Sequence, residues 1–269
     1  MVRFTEDHTA FRKVARDVVE REVAPYVDDW ERAGTFPAHE LFPKLGELGL
    51  LGLEYDPEYG GQGADHLYTV ILCEELTRAG AAGIPMAIGV QTCMATPSLH
   101  EFGSDELKRR FLAPAIAGTQ VCSIAVTEAG AGSDVASIRT RAVRDGDEWV
   151  INGSKIFITN AGTDMTFGVT VTAVTGEDAK GRPAISNILI PNGTPGYEVS
   201  EPIHKMGWKA SDTRALSFTD CEVPAANLLG ERGRGYAQFL SILDEGRIVG
   251  CFDTFHVHTE FVCQLVSQH

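Results

Sequence analysis

Residues 121–162 constrain this chain more than any other stretch. An apolar, β-type run from Val121 to Val126 opens into Thr127, Glu128, Ala129, Gly130, Ala131, Gly132, Ser133 and Asp134. A strand therefore hands its last residues to a loop of bare backbone and hydroxyls, which is how a chain presents itself to a cofactor. Alternation at Ile138, Thr140 and Ala142 is broken by Asp145-Gly146 and restarts at Trp149, Val150 and Ile151. A second turn signal at Asn152-Gly153 then precedes Lys155 to Thr159, so the local pattern predicts a β meander. That order excludes a dinucleotide fingerprint. Gly130-x-Gly132 lacks the third glycine, because position 135 is Val, and hairpins rather than a helix follow.

Upstream the periodicity is helical. Thr5 is placed to cap a helix whose first turn holds Glu6 and Asp7, with Phe11, Val14, Val18 and Val23 near one face and Pro25 to kink or end it. Pro37 starts a second helix through Leu41, Leu45 and Leu48, closed by Gly49; a third runs over 67–78. The apolar, small-residue segment 84–95 suits a buried helix, and Ser104 caps a further one. At Ala117-Gly118-Thr119 the period switches to alternation, which continues through 167–174, 188–191, 216–218 and 223–224 before helix returns from Arg234. The reading is thus an α+β chain with a helical domain over 1–117, a β domain over 118–231 and the start of a second helical domain over 232–269.

The 269 residues carry a formal net charge of -14, which argues against a general nucleic-acid binder; such proteins show a basic face. Six cysteines at 73, 93, 122, 221, 251 and 263 form no CxxC pair and read as reduced, mostly buried thiols. His256-x-His258 has no further ligand beside it in sequence, so no metal is expected. No charged leader precedes a short apolar run and no apolar stretch is long enough to span a bilayer, so the expected location is cytoplasmic, away from membranes.

The central stretch resembles the acyl-CoA dehydrogenase family. Ala125, Thr127, Glu128 and Gly130 to Asp134 match that family's A-x-TE-x-GAGSD signature; Asn152, Gly153 and Lys155, then Phe157, Ile158, Thr159, Asn160 and Gly162, match its second motif. The likeness extends from about Phe4 to about Val249. It implies a β-barrel-like middle domain between helical domains, FAD as cofactor, an acyl-CoA substrate, an electron-transfer flavoprotein as partner and a homo-oligomer. FAD would be held by Ile124, Ala125, Val126, Thr127, Gly132, Ser133, Phe157, Ile158 and Thr159, with Phe157 where the family often has tryptophan. Substrate would meet Ser133, Asp244 and Arg247, although Arg247 also has the spacing for a salt bridge to Asp244. Arg182 and Arg214 are weaker candidates for phosphate contacts, ordinary solvated arginines otherwise.

No residue present matches the family's catalytic glutamate. One branch carries it at the position held here by Gly246, and Glu245 points roughly 100° away round a helix; the other branch carries it beyond position 269. The expectation is therefore a chain that by itself does not oxidise acyl-CoA and holds FAD weakly. Residues 251–269 depart from the small-residue helix of the family, as a replaced end of a longer gene would. Two further readings keep the fold or discard the chemistry: a flavin monooxygenase, or a non-catalytic truncated product.

Overall fold

The computed structural model describes residues 4–243. Asp244, Arg247, the pair His256 and His258, Cys251 and Cys263, and the tail 251–269 lie outside the described residues.

Helices come first. They are α1 (Glu6–Glu22), α2 (Val27–Ala33), α3 (Ala38–Glu47), α4 (His66–Leu76), α5 (Gly83–Val90), α6 (Thr96–Phe102) and the short α7 (Asp105–Leu107) and α8 (Ala113–Ile116). Thr5 caps α1 as its sequence implies, and His8 answers it by accepting from the Thr5 backbone N–H, a reciprocal cap. Ser104 caps α7 through the Leu107 N–H. Between α5 and α6 the helix widens into a π turn over Gln91–Ala95. That turn has a use. The fully buried Gln91 side chain accepts from the Cys122 N–H at 2.8 Å and donates to the carbonyls of Ala115 and Gln120. One amide thus fixes where the first strand starts against the helices.

The strands are β1 (Val121–Ala125), β2 (Arg141–Asp145), β3 (Glu148–Thr159), β4 (Thr166–Glu177), β5 (Pro183–Pro191), β6 (Tyr197–Val199), β7 (Thr213–Pro224) and β8 (Leu228–Leu229). They form one sheet in the order β6-β7-β3-β2-β4-β5-β8, with β1 running parallel to β4. β2 and β4 run parallel and meet at a single pair, Arg141 with Val174. The sheet is open, which corrects the barrel-like expectation: closure needs the end strands to pair, and β6 and β8 are short and do not.

The meander is corrected too. Asp145-Gly146 does make the β2–β3 hairpin, but Asn152-Gly153 is no turn. It lies inside the continuous strand β3, opposite an extra residue in β7 between Phe218 and Cys221. Glycine is required there for space, since a Cβ on Gly153 would stand 2.6 Å from the Thr140 hydroxyl at a φ of +148°.

Two apolar cores result. Leu41, Phe42, Leu45, Leu72 and Ile88 centre the helical one; Trp149, Ile151, Val171, Ile188 and Phe218 centre the one formed by the sheet. A third cluster joins them, where Leu99, Phe111 and Leu112 meet Cys122, Leu189 and Leu229, with Phe111 stacked on Phe167 at 4.8 Å. The junction is tight at Gly118, whose φ is +71° and whose added Cβ would fall 2.0 Å from the Phe42 carbonyl oxygen. Gly118→Ala is expected to lower the unfolding free energy by about 3 kcal/mol, from left-handed strain and overpacking together; urea titration checks this.

Candidate functional site

β1 ends at Ala125, and the chain continues through buried Val126 into half-buried Thr127. The next residues close a tight turn in which the backbones of Glu128 and Ala131 bond to each other in both directions. Gly130, Gly132 and Ser133 are exposed on it. The Glu128 carboxylate folds back to accept from the N–H groups of Arg139 at 2.7 Å and Thr140 at 2.9 Å, so the loop is held at both ends.

β3 supplies the other half. Its pairing with β2 stops at Asn152, and beyond that point the chain leaving β1 takes over: the Ile156 N–H donates to the Thr127 carbonyl at 2.9 Å. Between Lys155 and Ile158 the register with β7 slips by one residue. This bulge carries Phe157 at a φ of 63° and leaves its ring 61% exposed, while Ile158 returns to the core. An exposed aromatic on a left-handed, non-glycine residue is costly in a bare sheet, and here its chain neighbour Ile156 is the residue bonded to Thr127. The strand ends at half-buried Thr159; next comes fully buried Asn160, again left-handed at φ 64°. Asn160 donates to the Ala87 carbonyl of α5 at 2.8 Å, which ties this edge to the helices.

Beneath the loop lies an ion pair. Lys155, buried on β3, donates to Glu128 at 2.9 Å and to the Val126 carbonyl at 2.8 Å. Burial pulls the Lys155 ammonium down to about 8, against the opposing attraction of Glu128. Burial pushes the Glu128 carboxyl up, but its bonds from Thr140, Lys155 and Arg139 outweigh that and hold it below the usual carboxylate range.

The two sequence motifs are thus brought side by side. Thr127 and Thr159 are half-buried and Phe157 is exposed; Ile124 is half-buried, and Ala125, Val126 and Ile158 are buried. Among the described residues neither the Thr127 nor the Thr159 hydroxyl has a protein partner. Free hydroxyls, an uncovered ring and exposed glycine backbone fit a flat, polar-edged cofactor with an anionic tail. Arg214 is engaged elsewhere, with its guanidinium on Asp212, Ser200 and Gly162; Arg182 pairs with Asp178 on an exposed hairpin. The bulge and the burial and pairing of Lys155 are the parts that motif reading missed. A bulge has no residue signature, and Lys155, though part of the second motif, carries no sign in sequence that it is buried against Glu128.

Comparison with known proteins shows the family. Sequence profiles described as "Acyl-CoA dehydrogenase, N-terminal domain" and "Acyl-CoA dehydrogenase, middle domain" match residues 5–119 and 123–221. "Probable acyl-CoA dehydrogenase YngJ" of Bacillus subtilis is 40% identical over 91% of this chain and 63% of its own length. Among solved structures, butyryl-CoA dehydrogenase of Megasphaera elsdenii superposes with a TM-score of 0.87 at 32% identity, over 96% of this chain and 67% of that one. An acyl-CoA dehydrogenase of Bacillus anthracis complexed with FAD gives 0.86 at 31% identity, over 94% of this chain and 42% of that one. The chain belongs to the acyl-CoA dehydrogenase family. It spans about two thirds or less of the length of these relatives. Among the described residues no helix is long and apolar enough to cross a membrane.

Removing one partner of the buried pair strands the other charge. Glu128→Ala is expected to destabilise the fold by about 3–5 kcal/mol, and pairing it with Lys155→Met to recover more than half of that, both read by chemical denaturation.

Proposed function

We propose that this chain supplies the flavin cradle of an FAD-dependent acyl-CoA dehydrogenase, which desaturates an acyl thioester between Cα and Cβ. The observation that carries the proposal is the Ile156–Thr127 bond, which sets the loop after β1 against the bulge that exposes Phe157; among the described residues neither the Thr127 nor the Thr159 hydroxyl has a protein partner. FAD supplies the hydride acceptor, which no side chain provides. The protein's part is to bind and orient. The Thr127 and Thr159 hydroxyls hydrogen-bond the polar edge of the ring in either redox state, because a hydroxyl both donates and accepts. Phe157 packs against the ring, and the bulge that exposes it aims it there. Exposed backbone at Gly130 and Gly132 lets an anionic or pantetheine arm approach closely beside the Ser133 hydroxyl. On the same reading Asp244 and Arg247, outside the described residues, meet the acyl-CoA, an electron-transfer flavoprotein takes the electrons, and copies of the chain assemble.

The test is direct. FAD added to the purified chain should give a bound flavin spectrum. Thr127→Val and Phe157→Ala should each weaken FAD binding by roughly threefold to tenfold, the loss of one hydrogen bond or one stacking contact. Acyl-CoA added to the flavin-loaded chain should perturb the visible spectrum. A chain that binds no FAD overturns the cofactor reading; one that binds FAD but responds to no acyl-CoA overturns the substrate reading.

A further inference from the structure

We propose that Lys155 is a positioning residue for the flavin: its buried ammonium holds the two residues on either side of Thr127 and so sets where the Thr127 hydroxyl points. The inference rests on the flavin reading above and deepens it. One Nζ donates to the Val126 carbonyl at 2.8 Å and to the Glu128 carboxylate at 2.9 Å, and Thr127 is the residue between them. Thr127 itself is then fixed by its carbonyl, which accepts from Ile156, the neighbour of Lys155 on β3. The loop residue and the ring-bearing bulge therefore share one anchor.

A buried ion pair serving the fold alone would have no need to bracket a residue in this way. Lys155 is 1% exposed, so its charge is not screened by water; an unpaired ammonium there would be strongly disfavoured. Glu128 is in turn fastened to the Arg139 and Thr140 N–H groups, which extends the anchor to the chain entering β2. Charge reaches Lys155 from few directions. Glu128 faces it from the loop after β1; Glu198 on β6 lines the cleft that Lys155 also borders, and there accepts from the Ser217 hydroxyl of β7 at 3.5 Å.

Protonation controls the strength of this anchor. The ammonium has three donors and a charge to match the carboxylate; the neutral amine keeps two donors and loses the charge. Burial has lowered the Lys155 pKa to about 8, so the strong form is present below that pH and fades above it. The sign follows: affinity for FAD is highest on the acid side of the midpoint and falls on the alkaline side.

The experiment measures FAD affinity by flavin fluorescence from about pH 7 to about pH 9.5, for the unmodified chain, Lys155→Met and Lys155→Arg. In parallel, amide resonances of Arg139 and Thr140 are followed in the FAD-free chain. The unmodified chain should lose affinity roughly fivefold to tenfold across a midpoint near 8. Lys155→Met should bind more weakly at pH ~7 and show no such step. Lys155→Arg should restore affinity at neutral pH yet also lack the step, because an arginine does not titrate there. Both amides should titrate with the same midpoint, and stop doing so in Lys155→Arg. A flat profile in the unmodified chain, or a step that survives in Lys155→Met, overturns the proposal, as does FAD binding with no amide titration. Amides that titrate in a chain that binds no FAD at any pH overturn the flavin reading, and this inference with it.

Discussion

β3 has to serve three neighbours at once, and the rest of the site follows from how it does so. Over its first half it is bonded to β2 on one edge and β7 on the other. Past Asn152 the first edge is vacated, and a one-residue slip against β7 turns the strand toward the chain leaving β1. The slip has a local conformational cost, a left-handed phenylalanine and an exposed ring. Strain of this kind persists only where its surroundings over-determine it. Here the Ile156–Thr127 bond on one side and the return of Ile158 to the core on the other do so.

The helices matter to that arrangement through a few polar side chains, two of them fully buried, rather than through apolar contact alone. Gln91 sets the start of β1, Asn160 ties the end of β3 to Ala87, and Glu31 of α2 accepts from the N–H groups of Lys209 and Ala210 in the loop before β7. Apolar packing is non-directional and tolerates sliding; a buried amide with fixed partners does not, because any shift strands a polar group away from water. The two buried amides, with the half-buried Glu31 carboxylate, therefore specify how helical and sheet layers sit against each other more sharply than the shared Phe111–Phe167 stack does.

Much of this was legible in order and kind. Helix starts at Thr5 and Ser104, the switch of period at Gly118 and the hydroxyl-bearing loop after β1 each follow from residue chemistry read locally. Local reading failed where the same residues serve two geometries. Asn152-Gly153 is as good a turn as it is a kink inside a strand, and only the presence of Thr140 across the hairpin and an extra residue in β7 decides for the latter. Closure of the sheet was likewise undecidable. Whether end strands pair depends on partners far apart in sequence, and β6 and β8 are too short to find each other.

What the sequence determined by itself was the inventory: a helical layer, a strand-rich layer, and two motif segments carrying hydroxyls, an aromatic ring and bare glycine backbone. What only tertiary structure decided was their meeting. Residues 127 and 157 lie on either side of the β2–β3 turn in sequence, and nothing in either segment encodes the bulge or the burial of Lys155 that holds them together. The physical reason is that strand register and ion-pair burial are properties of the assembled sheet, where each backbone group must find a partner supplied by a distant part of the chain.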